Sequence, residues 1–493
     1  MITLVALVVL LPLTGAIAVV ARCRARGAGF ALVGGAIGSF SASIALAADV
    51  AGRRRHVQGI GGFLYVDPLA VFFAITVSLV VVLAAFGSAA YLRTEEDRGD
   101  LSLFQVRLYF VFFSVFASGM LGAFFAGNLG LLWVLIEAST LASAALVGLE
   151  AKARSLEAAW KYVIISSFGV TIALLATLWL FYAGTALHLS SNERLTWPYL
   201  FAHAHALQPG SLRLAFLLAV VGYGTKVGLA PMHTWLPDAH SEAPSPASAM
   251  LSAGLLNTGM YAIIRFQVIA KAGLGSTYPD HVLLVLGFLT LFIGVIFMVR
   301  RGNFKRLFAY SSIEHMGIIA VALGFGGVLG LYGALLQVLN HAIGKAVLFL
   351  STGHFVLGYR TRESSEVRGA LGALPLAGGV LVLASLAVAG SPPFGVFLSE
   401  LTIVRAGFAG TEPALAGLLI LLLVVGFVAL VGTTLSMATG NGPEEPLHPY
   451  PRRSSRIFAG LPLVGGLGVL ALLGLWVPGG LNGVLLHAVR AIS

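Results

Sequence analysis

Long apolar stretches recur along the whole chain, and they constrain its fold more than any other feature. The chain is 58% hydrophobic and only 10% charged over its 493 residues, whereas soluble domains are about 25% charged. A single apolar core of this size would have too little polar surface around it, which excludes a soluble globule. Runs of about 18 or more apolar residues can cross a bilayer as helices. The sequence therefore predicts an all-α polytopic membrane protein.

Fourteen apolar segments are candidates for membrane spans. The first is expected to be a retained span and not a signal peptide, because Arg22, Arg24 and Arg26 follow the apolar run instead of preceding it. The predicted spans are residues 2–20, 29–49, 66–92, 106–126, 129–149, 159–183, 212–236, 245–270, 282–299, 304–325, 330–355, 372–408, 414–438 and 457–476.

Prolines should break two of these spans. Pro231 lies in the seventh span and Pro392 with Pro393 in the twelfth, and proline both lacks a backbone donor and clashes with the preceding turn. Interrupted helices in corresponding parts of a chain indicate an inverted-repeat transporter with its site near the midplane. We expect two inverted five-helix repeats, spans 4–8 and 9–13. The expected division is 1–100 (helices 1–3), 101–272 (first repeat), 273–440 (second repeat) and 441–493 (last helix).

Loop charges predict the orientation. The loops after odd-numbered spans carry 19 Lys and Arg, and the opposite side, which includes both termini, carries 9. The richer side should be cytoplasmic, which places both termini outside a multi-pass protein of the cell (inner) membrane. Arg53, Arg54 and Arg55 lie on the poorer side against this rule. Because the net charge of +10 is spread over short loops, we expect no nucleic-acid partner.

The chain carries no motif for a redox cofactor. Cys23 is the single cysteine, which excludes an intrachain disulfide, and a thiolate-bound iron–sulfur cluster needs about four. The glycine-rich segment GFGGVLG at 324–330 has the wrong spacing for a dinucleotide-binding loop and follows no strand, so it is predicted to be a turn. We expect no cofactor and no metal ion bound by this chain.

Ionisable residues lie near the middle of several predicted spans. An isolated charge at the bilayer centre costs about 2.5–3.5 kcal/mol on insertion scales, so each one requires a reason. They are Glu137 in span five, Lys226 in span seven, Glu314 and His315 in span ten, Lys345 in span eleven with His341 one turn earlier, and Glu400 in span twelve.

Two interpretations of these residues compete. They could be buried ion pairs that hold helices together, but buried pairs must be desolvated and apolar packing is often as stabilising. They could instead form a proton path. Burial and a nearby opposite charge shift a pKa in opposite directions, so a Glu–Lys pair that opens and closes would load and expel a proton. Imidazoles titrate close to neutral pH and can relay between such sites. Five spans with such residues favour the proton path.

Other polar residues are weaker candidates. His233 and His240 flank the turn after span seven, where they could cap a loop, pass protons at an entry or exit, or bind a metal, although no carboxylate or cysteine set completes a metal site. Asp67 is expected to begin a helix. Packing is the simpler role for His354, Tyr223 and Ser311, which could also line a wet channel.

Six segments between about residues 60 and 440 together resemble the proton-conducting antiporter-like subunits of respiratory complex I, membrane-bound hydrogenases and Mrp antiporters. They are YVDPLAVFF, the Glu137 segment, the run from Lys226 to Pro244, FKRLFAYSSIEHMG, NHAIGKAVLFL and GSPPFGVFLSE.

The resemblance implies a Glu137–Lys226 pair as a first half-channel switch, and a polar axis through His315, His341 and Lys345 to Glu400. Two departures matter. Asn257 stands where such proteins usually have lysine or histidine, so the central relay must use another group or water. Glu400 stands where several members have lysine, which makes the chain most similar to the hydrogenase-4 component F branch.

The resemblance also implies partners. A proton-translocating subunit of a redox-driven complex would work beside other membrane subunits and a peripheral arm, with Fe–S clusters and a Ni–Fe or flavin/quinone centre in those partners. Two alternatives stay open. The chain could belong to an Mrp-type cation/proton antiporter, or to a proton-driven complex for uptake of inorganic carbon, without any redox partner.

Overall fold

The computed structural model describes residues 1–21, 25–53, 57–59, 62–187, 190–300, 302–410, 412–442 and 453–493. The predictions of a retained first span, of no disulfide and of the orientation relied in part on residues outside these ranges, namely Arg22, Cys23, Arg24, Arg54 and Arg55. The described chain is almost entirely helical. One short antiparallel hairpin, β1 (Val57–Gly59) with β2 (Leu64–Val66), precedes the third span.

The helices of the first part run up to residue 250. They are α1 (Ile2–Leu10), α2 (Thr14–Val20), α3 (Ala25–Arg53), α4 (Pro68–Arg98), α5 (Leu103–Phe124), α6 (Leu129–Val147), α7 (Ala153–Ala183), α8 (Trp197–Ala202), α9 (Pro209–Val227), α10 (Trp235–Glu242) and α11 (Ser245–Met250).

A π-helical turn, Leu251–Leu255, joins α11 to the second part. The helices that follow are α12 (Leu256–Leu274), α13 (Thr277–Val299), α14 (Phe304–Phe325), α15 (Gly327–Tyr359), α16 (Ala370–Ala373), α17 (Pro375–Val388), α18 (Gly395–Ala409), α19 (Pro413–Ala438), α20 (Arg453–Leu475) and α21 (Gly479–Arg490).

The polytopic all-α prediction is confirmed. Twelve helical segments in the described part of the chain are long and apolar enough to cross a membrane, and the bent pair Ala459–Leu475 and Gly479–Arg490 makes a thirteenth. The predicted twelfth span is a pair of short helices, α17 and α18, neither of which is long enough to cross alone. The inverted relation between the two repeats and the four-part division of the chain stay predictions.

Both predicted helix breaks are present. The seventh span stops at Val227, where Gly228 takes a positive φ of 80°, and resumes as α10. The twelfth stops at Val388 and resumes at Gly395. Each break contains a cis X–Pro bond, Ala230–Pro231 and Pro392–Pro393. The expected turn in GFGGVLG is also present, because α14 ends at Phe325 and α15 begins at Gly327.

Small residues let the helices that carry the ionisable groups approach closely. Between α7 and α9, a Cβ on Gly222 would lie 2.4 Å from the backbone of Ala173. Between α13 and α14, a Cβ on Gly317 would lie 2.6 Å from Leu291 N, and one on Gly294 would lie 2.7 Å from Glu314 N. Any larger side chain at these positions would force the backbones apart.

Three spans form the centre of the bundle. Every residue is buried in an 18-residue stretch of the span that runs from α11 through the π-turn to α12, and the same is true of α15; in α14 the share is 94%. In the outer helices α7, α13 and α19 fewer than half of the residues of such a stretch are buried, as expected of surfaces that face lipid. The central helices carry His315, His341, Lys345 and Asn257, so most candidate residues lie inside the protein.

Candidate functional site

Lys226 is fully buried in the last turn of α9. Its Nζ donates to the hydroxyl of Tyr162 at 3.0 Å and lies 4.6 Å from the centre of the same ring. Trp235, at the start of α10, stacks on Tyr162 with ring centres 4.4 Å apart. Tyr162 in turn shares a hydrogen bond of 2.7 Å with Ser143. The ammonium therefore lies in an aromatic box with a neutral hydroxyl as its partner.

Glu137 faces the same region from α6 but does not contact Lys226. Its Oε1 accepts a hydrogen bond from Ser167 at 2.9 Å, and its buried Oε2 has no hydrogen-bond partner among the described residues. Within the described chain the two groups form no ion pair, although Glu137 is near enough to act on Lys226 electrostatically. The pair implied by the resemblance is thus open in this structure.

The second lysine, Lys345, lies fully buried in the middle of α15. Its Nζ donates to the backbone carbonyl of Phe308 at 3.2 Å. His341 lies one turn earlier, and its ring centre is 5.3 Å from that of His315 on α14. Gln337 contacts His315 Nδ1 at 2.8 Å. The structure therefore brings together the three central residues that the sequence selected.

Two carboxylates flank this second lysine. Glu314 lies near enough to Lys345, and Glu400 to Glu314, for electrostatic interaction. Both carboxylates occupy space that glycine leaves free: a Cβ on Gly426 would lie 2.1 Å from Glu314 Oε1, and one on Gly390 would lie 2.1 Å from Glu400 Oε2. Glu400 is thus held at the break in the twelfth span, as its position in the sequence suggested.

The loop-cap interpretation of His240 is wrong. His240 lies inside α10, is fully buried and stacks on Phe349 with ring centres 4.7 Å apart. Neither ring nitrogen has a partner in the described part of the chain. The charged side chains that interact electrostatically with His240 are Lys305 and Lys345. His240 was expected beside a loop because α10 has only eight residues, with Pro237 among them, and is too short to show a helical period in the sequence. His233, only 8% exposed, lies in the break itself.

Asn257 is fully buried in the first turn of α12, directly after the π-turn. Its Nδ2 donates to Ala253 O at 2.7 Å, and its Oδ1 has no partner among the described residues. Gly259 of the same helix packs against the lysine of α9, since a Cβ there would lie 3.2 Å from Lys226 Cβ. Asn257 therefore lies two residues before the contact of α12 with the Lys226 side chain.

Sequence reasoning missed Lys305. Its side chain is 1% exposed, and its Nζ donates to Ala243 O at 2.5 Å. Lys305 stands at the start of the predicted tenth span but was not among the ionisable residues selected there; Asn303 begins α14 and places Lys305 in the first turn, buried in the protein.

A buried ion pair between Asp67 and Arg265 was also missed. Asp67 begins α4 as predicted, because its Oδ1 accepts from Ala70 N at 2.8 Å. Its carboxylate also accepts two hydrogen bonds, of 2.6 and 2.7 Å, from Arg265 on α12. The two residues are 198 positions apart in the chain. The spacing of Asn257, Tyr261 and Arg265, four residues each, was the available signal that a polar face continues along α12.

The described residues include no group of three or more His, Cys, Asp or Glu that could hold a metal ion. His233 and His240 do not form one. The buried site contains titratable side chains whose hydrogen-bond partners are neutral groups, an arrangement that suits the transfer of protons.

Residues 126–426 match the family described as the NADH:quinone oxidoreductase/Mrp antiporter transmembrane family. The chain belongs to this family. It is 36% identical over 390 residues to the hydrogenase-4 component F homolog of Methylacidiphilum infernorum (isolate V4), an alignment that covers 78% of this chain and 82% of that protein.

Two solved structures share the fold. One is a chain of the membrane-bound sulfane sulfur reductase, an archaeal respiratory membrane complex, with a TM-score of 0.85 and 22% identity over 99% of this chain and 97% of that one. The other is a chain of the Mrp complex from Dietzia sp. DQ12-45-1b, with a TM-score of 0.84 and 21% identity over 100% of this chain and 97% of that one. The resemblance drawn from the sequence motifs is confirmed.

Proposed function

We propose that the chain carries protons across the membrane as one subunit of a larger, redox-driven complex. The observation that carries this proposal is the state of the two buried lysines. Lys226 donates to a neutral hydroxyl and Lys345 to a backbone carbonyl. Each has a glutamate nearby, and neither forms an ion pair within the described chain. Because no carboxylate depends on either ammonium as an ion-pair partner, each amine can release its proton without leaving a negative charge buried and unpaired.

The remaining buried groups extend the two lysine sites into a path. Glu137 is the partly exposed end of the first site, and Glu314 with Glu400 forms the end of the second. His315, His341 and His240 lie around Lys345 and can relay protons. Several of their ring nitrogens have no hydrogen-bond partner among the described residues, and polar sites of that kind are where bridging waters are held.

The partners follow from this role. The single cysteine of the sequence is too few for an iron–sulfur cluster, so electron transfer would take place on Fe–S clusters and a Ni–Fe or flavin/quinone centre in other subunits. We propose a cell (inner) membrane location with both termini on the outer side. The identity to a hydrogenase-4 component F homolog supports the redox-driven assignment.

A second candidate is a subunit of a cation/proton antiporter without a redox partner. The likeness to a chain of an Mrp complex supports it. The two candidates differ in what accompanies the chain. Mild extraction should recover a Ni–Fe or flavin–quinone module if the first candidate is right. Recovery of membrane subunits without such a module would favour the antiporter.

The direct test of proton carriage replaces the first lysine and its carboxylate. Lys226→Ala and Glu137→Ala should each abolish proton translocation by the assembled complex in native membrane vesicles, measured with a pH-sensitive dye. Normal translocation by both variants would leave the chain with a scaffold role only.

A further inference from the structure

A hydrogen bond between two hydroxyl groups crosses the centre of the bundle beside the Lys345 site. Ser252 lies in the π-helical turn before α12, and Ser312 lies in α14. Both are fully buried, and their Oγ atoms are 2.8 Å apart. In the described chain Ser252 has no other hydrogen-bond partner, so its hydroxyl points across to the neighbouring helix and not back to its own backbone. Most buried serines of a helix do the opposite.

On one side, Ser312 of the pair lies close to the second lysine, Lys345. Ser312 Oγ donates to Phe308 O at 2.9 Å, and Lys345 Nζ donates to the same carbonyl at 3.2 Å. A shared acceptor places the hydroxyl and the ammonium side by side. A small rotation of the Ser312 hydroxyl, or one bridging water, is enough to connect them.

On the other side, the π-turn that carries Ser252 leads directly into α12, the helix that packs against Lys226. Ala253, the residue after Ser252, gives its carbonyl to Asn257 Nδ2. Two residues further along α12, Gly259 packs on the stem of Lys226. The π-turn widens the helix at this point, and such turns are frequent at functional sites. The turn therefore presents the Ser252 hydroxyl to α14 just before α12 begins, and none of the described residues of this turn is titratable.

We propose that Ser252 and Ser312 relay protons between the Lys226 site and the Lys345 site. The inference rests on the proposed function. A hydroxyl both accepts and donates through one oxygen. In a transfer, Ser252 Oγ binds an incoming proton while its own O–H bond breaks and that proton moves to Ser312 Oγ. Ser312 then releases its original proton to the next acceptor. Both serines end neutral, and rotation of the two hydroxyls restores the starting arrangement.

The test removes both hydroxyls in the full chain, within its native complex and membrane. Vesicles carry an internal pH dye, and a potassium diffusion potential set with valinomycin drives protons inward. Ser252→Ala combined with Ser312→Ala should lower the proton flux about a hundredfold, the lower end of what positioned proton-transfer groups contribute. Flux within about twofold of the parent would overturn the relay.

Two matched variants separate the hydroxyls from general disturbance of this segment. Thr258→Val removes a buried hydroxyl of α12 that bonds Gly254 O of its own helix at 3.0 Å, and its flux should match that of the parent. Ser252→Thr keeps a hydroxyl and should retain most of the flux. If the threonine variant assembles normally but is as slow as the double alanine variant, the loss does not come from the hydroxyl and the proposal is wrong.

Lys226→Ala in the same vesicles separates a failure of the serine relay from a failure of proton carriage by the chain. Loss of flux in Lys226→Ala together with normal flux in the double serine variant would remove the serine relay and leave proton carriage intact. Normal flux in Lys226→Ala would remove proton carriage itself, and the relay with it.

Discussion

Arg265 and Lys226 are both buried cations of the same bundle, but their surroundings are opposite. The Arg265 guanidinium makes two hydrogen bonds to the carboxylate of Asp67 and one, of 2.9 Å, to Tyr261. It also stacks over Trp197, 4.2 Å from the ring centre. Lys226 has one hydroxyl of Tyr162 and two aromatic faces. The first cation is paired with a full negative charge, and the second is not.

The difference separates a structural charge from a transferable proton. Arginine stays protonated in proteins, and a bidentate pair with carboxylate fixes both partners. Lysine can lose its proton when buried, and a neutral hydroxyl partner loses little when it does. The contrast predicts that the two cations respond differently to replacement. Four variants test it, from the largest expected change in the free energy of unfolding to the smallest.

Arg265→Ala should be the most destabilising. It leaves the Asp67 carboxylate buried without its partner, and breaking a buried pair on one side costs about 3–5 kcal/mol. Denaturant unfolding of the purified complex in detergent measures the loss. Asp67→Asn in the same background should recover part of it, because the uncompensated charge is then removed. Wild-type stability of Arg265→Ala would mean that the pair is not structural.

Tyr162→Phe should have an intermediate effect. It removes the hydroxyl that accepts from Lys226 Nζ, and a hydrogen bond to a charged group contributes about 1.5–3 kcal/mol. The same unfolding assay applies, and proton flux should fall as well. The double variant with Lys226→Met is the control, since the phenylalanine should cost less once no ammonium is present. If Tyr162→Phe costs as much stability in the Lys226→Met background as in the parent, the hydrogen bond assigned between Tyr162 and Lys226 is contradicted.

Lys226→Met should cost less than about 1.5 kcal/mol, as volume-conserving changes in a core usually do. No carboxylate in the described chain is ion-paired with this lysine, so none is left unpaired. Proton translocation should nevertheless disappear. Destabilisation as large as that of Arg265→Ala would show that Lys226 also has a structural charge partner, and the comparison between the two cations would fail.

Arg306→Ala should have the smallest effect. Arg306 pairs with Asp238 at 2.7 Å, but its side chain is 47% exposed. Exposed pairs contribute about 0.2–1 kcal/mol. Neither unfolding nor flux should change beyond that range. A larger loss would mean that Asp238, which also binds Lys161, holds the end of α10 in place.

The sequence predicts the features of this protein that depend on local composition. Apolar runs set the spans, and prolines set the breaks at Pro231 and Pro393, because each of these acts within a few residues of itself. The central group of His315, His341 and Lys345 was also identified, since a charge in an apolar run stands out wherever its helix packs.

Features that depend on packing between distant segments were not predictable. Asp67 was expected only to begin a helix, and Arg265, inside the predicted eighth span, was not selected, because nothing local shows that two helices bring them together. The same holds for the contact between Ser252 and Ser312, which joins residues 60 positions apart. Glu137 and Lys226 illustrate the opposite case. The sequence supplies an acid and a base on two helices, but it does not determine whether their side chains form an ion pair.

The glycine contacts between α13 and α14 have a mechanical consequence. Their backbones are too close for either helix to slide or roll past the other without atomic overlap. Residues such as Val285 and Phe292 on α13 are more than half exposed and face outward, whereas α14 carries Glu314 in the interior. Tilting is one way in which a helix accommodates a mismatch between its apolar length and the thickness of the bilayer. A thinner or thicker bilayer that tilts α13 therefore moves the backbone of Glu314 with it, which makes lipid composition a variable of the buried carboxylate's position.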